Sequence, residues 1–392
     1  MVKAAKALIL ATGPNGLGAL RSLQKAGISC DVIVDSHDDV SWYSRIPVNK
    51  QRFNHDNESE LMSLLRSWPG KNQVLIPTSD WYVNFIERHQ QVLSQKFKYA
   101  LPSEYKNGDF IDKREEVLKV QAFVNLPVSM THLPDTAEAL VEQCQLPIII
   151  KPRSHQHNVF ARKNLVVNSL AELQEFYQQY ASQLDMFIGQ HVIAGDDDSQ
   201  WVCNCVFDRQ HQLVSYFTFQ RLQLSPPHYG VTCHARSDYN EDIIEQVYKL
   251  GVGCRLVGPV MVEFKFDASD GKYKYIELNP RLGMCNYFDS QCGINNVFAS
   301  YQVALNLPVP SYQQQNGCYF LSFYEDLYSR YRDGQSFADI CKAYWRTLGS
   351  RYFFIYFSWR DPWPAMVVGC VQLKRSFLAL TRKFSRGDNV RL

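Results

Sequence analysis

Apolar and polar positions alternate most regularly between Val260 and Gly283. β-formers run from Val260 to Phe266 and again from Tyr273 to Leu278, with the turn-forming Ser269-Asp270-Gly271 between them, so the pattern predicts a β-hairpin. At the amino end, the apolar run Ala7 to Ala11, the loop TGPNGLG, an amphipathic stretch through Lys25 and the run Cys30 to Asp35 predict a βαβ unit. A helix from Arg114 to Phe123, the connection LPVSMTHLP, a helix beginning near Asp135 and a strand from Pro147 to Lys151 follow. Two alternating strands fill Trp201 to Gln220 and lead to Arg221 and the SPPHYG turn. Beyond Leu307 the character changes: residues 311 to 365 are rich in Tyr, Phe and Trp. From Pro364 onward, apolar turns alternate with Lys374, Arg375, Arg382, Lys383 and Arg386 as in a basic amphipathic helix. Such a helix either packs on its own protein or a second copy, as in a homodimer, or makes peripheral contact with an anionic membrane.

A chain of 392 residues with 46% hydrophobic and 20% charged residues is long enough for two or three packed lobes. Its net charge of +2 gives no whole-molecule field toward nucleic acid. Lys3 and Lys6 lead into a short apolar run without a cleavage-like site, no apolar stretch reaches bilayer length, and the 11 scattered cysteines suit reduced thiols, so the expected location is cytoplasmic. Cys203 and Cys205 share one strand face but lack a second pair, which makes them core residues rather than metal ligands.

Candidate chemistry concentrates on the hairpin. Glu277 and Asn279, two residues apart, share a face, and Glu263 on the partner strand is at a distance from the turn that sets it beside them. Three oxygen ligands on adjacent strands suit magnesium, whose other positions are filled by phosphate and water; an ordinary hairpin with one polar face fits the same spacing. Arg281 adds a cation where phosphate charge would develop. Lys151 ends an almost wholly apolar strand, where a cation needs an anion such as phosphate. Two further readings are open. TGPNGLG approaches a dinucleotide fingerprint, with Asp35 suited to a ribose hydroxyl, but Asn15 stands where the second glycine belongs. Asp80, in PTSD, is either a contact for a substrate amine or the N-cap of a helix starting near Trp81.

The EF at Glu263 and Phe264, followed by IELNPRLG from Ile276 to Gly283, resembles the metal-binding end of the ATP-grasp superfamily. Lys113 in FIDKREEV, Lys151 in PIIIKPR and the hinge FIGQHVIAG follow the same order over roughly residues 5 to 310. Within it, LIPTSDWYV, DKREEV and FQRLQLSPPHYG are similar to predicted carboxylate-amine ligases that include D-aspartate ligase. The resemblance implies an α/β ATP-grasp fold: an N-terminal Rossmann-like domain (1–112), a small lid lobe (113–190), a C-terminal lobe with the metal site (191–310), and a helical, aromatic and basic extension (311–392). It implies ATP and Mg2+, with Mn2+ as a substitute, and small carboxylate and amine substrates. By the same resemblance, Lys113 and Lys151 contact ATP, Gln190, His191, Val192 and Ile193 hold adenine, and Asp198 holds ribose. Glu263, Glu277 and Asn279 hold the metal, Asp80 and Arg221 meet substrate, and Arg281 with Lys151 stabilises the transferred phosphoryl group. Where the family carries a glycine-rich loop after Lys151, this chain reads PRSHQHNVFARKN, so Arg153, His155, His157, Arg162 and Lys163 would supply charge instead of backbone amides. An ATP-dependent carboxylase, a non-catalytic nucleotide-binding protein and an NAD-dependent oxidoreductase are the alternatives.

Overall fold

The computed structural model describes residues 5–36, 38–55, 57–101, 110, 112–154, 164–228 and 230–373. The amino-terminal pattern becomes β1 (Ala7–Ala11), the helix Gly13–Lys25 and β2 (Cys30–Val34). With β3 (Lys50–Arg52), β4 (Gln73–Pro77) and β5 (Phe97–Lys98) they form a parallel sheet ordered β3-β2-β1-β4-β5. β1 is buried on both faces, which is why it reads as a continuous apolar run. Leu8 and Leu10 pack with Leu61, Tyr82 and Phe85 from the helices Glu58–Ser67 and Asp80–Arg88. Ala7, Ile9 and Ala11 pack with Leu20 and with Val297 and Tyr301 of the helix Asn296–Ala304, so the far end of the chain closes this domain.

The second sheet, β6 (Ser129–Met130), β7 (Ile148–Pro152), β8 (Leu165–Val167) and β9 (Phe187–His191), is antiparallel and ordered β6-β9-β7-β8. Ile148, Ile150 and Phe187 lie under the helices Ala137–Cys144 and Leu170–Gln179. Period-two alternation sends Ile149 and Lys151 to the opposite face. That corrects the expectation of a buried lysine in an apolar strand: Lys151 is half-buried on the face of the sheet away from those helices.

The third sheet contains β10 (Gln200–Phe207), β11 (Leu213–Ser225), β12 (Val231–Ser237), β13 (Gly258–Asp267), β14 (Lys272–Asn279), β15 (Tyr319–Leu321) and β16 (Tyr352–Phe354). Its order is β14-β13-β10-β11-β12-β15-β16. The expected hairpin is β13 and β14, with Gly271 at φ +70° in the turn. Cys203 and Cys205 are core residues beside Phe264 and Val262, as expected, and all 11 cysteines are free. The aromatic stretch after residue 311 is not wholly helical: β15 pairs with β12, and β16 pairs parallel to β15, extending the sheet that carries the hairpin. Among the described residues no helix is long and apolar enough to cross a membrane. Lys374, Arg375, Arg382, Lys383 and Arg386 of the basic segment lie outside the described residues.

A buried polar seam ties the first domain to the third sheet. Asn15, in the position of the missing glycine, donates through Nδ2 to the carbonyls of Thr78 and Leu282, both at 2.7 Å, and its Oδ1 accepts from Asn286 Nδ2 at 2.6 Å. A Cβ on Gly18 would come within 2.5 Å of Asn286 Oδ1, so this contact needs glycine. Asn15→Gly, which restores the dinucleotide pattern, is expected to cost about 2–4 kcal/mol by stranding buried polar groups. Thermal unfolding should show the loss, and NADH fluorescence should show no gain in binding.

Further along the seam, Asp289 accepts from Asn204 and Asn296 in a fully buried setting. Burial pushes its carboxyl up to about 8, with the two amide bonds opposing only in part. A folded value above the unfolded one means the contribution to stability is complete below the unfolded value and is lost as pH rises through about 8. The melting temperature is therefore expected to fall by several degrees between about pH 6 and pH 9, and Asp289→Asn should flatten that slope.

Candidate functional site

The hairpin register sets Glu263 directly opposite Glu277 and Met261 opposite Asn279. Directly paired residues share a face, and Glu277 and Asn279 are two apart, so all three candidate metal ligands project from one side. None of the three is idle. Both Glu263 oxygens accept from Arg221, at 2.6 and 2.8 Å. Glu277 accepts from Lys113 Nζ at 3.1 Å and from Asn279 Nδ2 at 3.3 Å. Asn279 Oδ1 accepts from Arg281 Nη2 at 3.2 Å. Among the described residues no three His, Cys, Asp or Glu side chains cluster for a metal, so the donor set is two carboxylates and one amide oxygen. Hard oxygens in that number fit the coordination preference of magnesium, and Lys113, Arg221 and Arg281 are hydrogen-bonded beside them.

Arg221 is buried. It lies inside β11, 5% exposed, where its guanidinium also donates to Gln200 Oε1 and Thr232 Oγ1, each at 2.9 Å. Burial alone would lower its affinity for a proton, but Glu263 outweighs burial and holds it above the ordinary arginine value. Lys113 follows the same logic: burial works against the charge, and Glu116 and Glu277 outweigh it.

Lys113 opens the helix Lys113–Val120, capped by Asp112. The buried Glu116 fastens that helix to β14 by accepting from Tyr275 Oη at 2.6 Å and the Leu278 amide at 2.9 Å, besides Lys113 at 3.0 Å. Sequence reasoning missed Glu116, Gln200 and Thr232. DKREEV shows Glu116 one helical turn after Lys113, a spacing that suits an ion pair. Gln200 and Thr232 carry no comparable signal.

Asp80 is not the N-cap, and its carboxylate is engaged by Arg281. Ser79 caps the helix, accepting from the Tyr82 amide, and Asp80 at its first position accepts from Arg281 Nε at 3.1 Å. Asp80 nevertheless stands at the carboxyl edge of the parallel sheet, just after β4, where β1 has neighbours leading in both directions and ligands of such folds bind. Asp35 accepts from His55 Nδ1 at 3.1 Å. The Gly13 amide, where a dinucleotide phosphate would sit, is taken by Asp39. Together with Asn15, these contacts leave the dinucleotide reading without a phosphate position.

On the face of the second sheet away from its helices, Lys151 pairs with Ile188 and Ile149 with Gln190 across β7 and β9. Gln190 is buried and donates to Ser129 Oγ at 2.9 Å. The His191 and Val192 amides are occupied by the Val128 and Pro147 carbonyls, whereas that of Ile193 donates to no described residue. Asp198 is exposed, and its main-chain oxygen accepts from Gln220. Arg153 is held by Asp112 at 2.6 Å, while His155, His157, Arg162 and Lys163 lie outside the described residues.

No family model matches the chain. In overall architecture it is similar to N5-carboxyaminoimidazole synthetase from Staphylococcus aureus, with TM-score 0.61 and 14% identity over 80% of this chain and 81% of that one. It is similar also to biotin carboxylase from Campylobacter jejuni in complex with βγ-ATP, with TM-score 0.64 and 16% identity over 80% and 74%. The chain has the ATP-grasp fold. In sequence, it is 25% identical over 247 residues to the D-aspartate ligase of Enterococcus faecium (strain Aus0004), a match covering 57% of each chain. The ATP-grasp expectation from the hairpin motif thus agrees with the three-sheet architecture and with a carboxylate-amine ligase as a sequence relative.

Proposed function

We propose that the protein is an ATP-dependent ligase that activates a carboxylate as an acyl phosphate and joins it to an amine, releasing ADP and phosphate. The observation that carries this reading is the register of Glu263 against Glu277, with Asn279 on the same face and three cations within hydrogen-bond reach. A purely structural ion-pair network has no need of an amide two residues from a carboxylate, nor of Arg281 linking it to Asp80 of another domain. The 25% identity with a D-aspartate ligase supports the amine-joining reading over other uses of the same fold.

Adenine fits against Gln190 to Ile193, where the Ile193 amide is open as a donor and the apolar face of Ile149 and Ile188 borders a flat ring. Asp198, exposed after β9, would accept from a ribose hydroxyl. A magnesium ion held by Glu263, Glu277 and Asn279 would supply charge neutralisation between the terminal phosphates, and manganese would substitute for it. Lys113 and Lys151 hold phosphate oxygens. Arg281 moves from Asn279 onto the transferred γ-phosphoryl group, where preorganised positive charge stabilises the transition state. Arg221 leaves Glu263 for the substrate carboxylate or its acyl phosphate, and Asp80, released by Arg281, accepts from the incoming ammonium group. Activation is required because a bare carboxylate has no adequate leaving group; once it is phosphorylated, phosphate departs as the amine attacks.

Activation of bicarbonate would use the same first half-reaction, and the structural neighbours include a biotin carboxylase and an N5-carboxyaminoimidazole synthetase. A matrix of amino acids, carboxylic acids and bicarbonate, read by ADP release from purified protein, separates the two. ADP release is expected only when an organic acid and an amine are both present. Release with bicarbonate alone would move the assignment to carboxylation, and no release with any combination would count against an enzyme.

A further inference from the structure

The hairpin that carries the candidate metal ligands repeats their arrangement with the opposite charge. Where Glu263 stands opposite Glu277, Lys265 stands opposite Lys274. On its other side β13 pairs with β10, Glu263 with Val202 and Lys265 with Gln200. Residues two apart on one strand share a face, as do direct cross-strand partners, so Lys265 projects from the same side of the sheet as Glu263. Phe264 and Tyr275, between the two charged levels, turn the other way into the core beside Cys203 and Val262. Like charges set directly opposite each other weaken a sheet, and an ion of the other sign relieves them. Lys274 has such a partner in the turn, where its Nζ donates to Asp270. Lys265 is different: among the described residues no hydrogen bond or ion pair engages its Nζ, although it is half-buried. Burial pulls its ammonium below the ordinary lysine value, and Asp197, Asp196 and Asp267 oppose that only in part. By contrast, Lys113, Arg221 and Arg281 on the same side of the molecule are each hydrogen-bonded to a carboxylate. A cation kept partly out of water beside a second cation gains most from an anion.

Position decides which anion. On one side of Lys265 is the loop after β9: a Cβ on Gly195 would stand 3.7 Å from Lys265 Cε, and Asp196 and Asp197 of that loop are the nearest influences of opposite sign on its ammonium. Asp198, proposed for the ribose, is the next residue of the loop. On the other side, two residues along β13 and therefore about 6.8 Å away, is Glu263, proposed for the metal at the terminal phosphates. Between a ribose and the terminal phosphates of ATP lies the α-phosphate. We infer that Lys265 is a further nucleotide-binding residue, with its ammonium on the α-phosphate of ATP and its methylene stem along the floor of the cleft. The inference rests on the nucleotide reading above and adds a residue that no sequence motif marks. Lys265 at the ribose end, with Lys113 and Arg281 at the transferred end, would line the phosphates with positive charge along their length.

The full chain is titrated with MgATP by calorimetry, and displacement of bound MgATP by adenosine gives the affinity for the part of the ligand that has no phosphate. Lys265→Met is expected to weaken MgATP about tenfold and to leave adenosine within about twofold. Its melting temperature should be unchanged or slightly higher, because a charge penalised by burial is removed. Lys265→Arg keeps the charge and should hold MgATP within about threefold of wild type. An equal loss for MgATP and adenosine would make Lys265 a support of the cleft and overturn the inference. So would an unchanged MgATP affinity in Lys265→Met, or an arginine variant as weak as the methionine one. Lys151→Met separates the inference from the reading beneath it. If that variant weakens MgATP and Lys265→Met does not, the inference alone falls; if the wild-type protein binds no MgATP, both fall.

Discussion

Glu277→Gln is expected to lower ATP turnover by at least about a thousandfold, because on the proposed reading it removes one of the two carboxylate charges that would hold the divalent ion and leaves side-chain size unchanged. Folding should hardly respond. Glu277 is partly exposed and its partner Lys113 keeps Glu116, so the substitution strands no buried charge. A melting temperature within a few degrees of wild type, together with loss of ADP release, is the expected pair of results. Normal ADP release would remove Glu277 from the metal site. Glu116→Gln gives a useful contrast: Glu116 is 1% exposed and holds Tyr275, Leu278 and Lys113, so stability should fall along with activity.

Arg221→Met tests the other carboxylate. Removing one partner of a buried ion pair leaves Glu263 uncompensated beside the core and should cost about 3–5 kcal/mol. On its own that outcome would fit a structural arginine. Arg221→Met combined with Glu263→Leu replaces the whole pair by apolar groups, a change that is commonly neutral or stabilising by about 1–4 kcal/mol. The double variant is therefore expected to recover most of the lost melting temperature and none of the ADP release. Recovery of both would make the pair a structural device and exclude Glu263 from metal binding and Arg221 from substrate binding.

How much of this was legible in the sequence depends on the range of the interaction. The hairpin was readable because its turn and its period of two are local, but the Glu263-to-Glu277 register was not: counting back from the turn sets Ile276 opposite Glu263, and a bulge between Glu263 and Phe264 brings Glu277 there instead. The βαβ opening was readable for the same reason. Arg221 was recognised as a candidate but its setting was not, since its partner is 42 positions away on a strand that only the sheet order makes a near neighbour. The burial of Lys151 was misjudged: Ile148 to Ile150 look uniformly apolar, and only the placement of helices on one side shows that Ile149 and Lys151 face the other. β15 and β16 were missed because three-residue strands in an aromatic segment have no periodicity of their own and exist by pairing to β12. Asn15, which looked like a defect in a glycine motif, is a clamp whose partners Thr78, Leu282 and Asn286 are far away in the chain.

The central claim is that the pairs Glu263 with Arg221 and Glu277 with Lys113 open when nucleotide arrives, giving the carboxylates to a metal ion and the cations to phosphate. A crystal structure with magnesium and a non-hydrolysable ATP analogue tests it most directly. The expected result is an ion within coordination distance of Glu263, Glu277 and Asn279, with Lys113, Arg221 and Arg281 turned toward phosphate or the acyl site. An empty hairpin with both ion pairs intact, or nucleotide bound away from it, would contradict the claim.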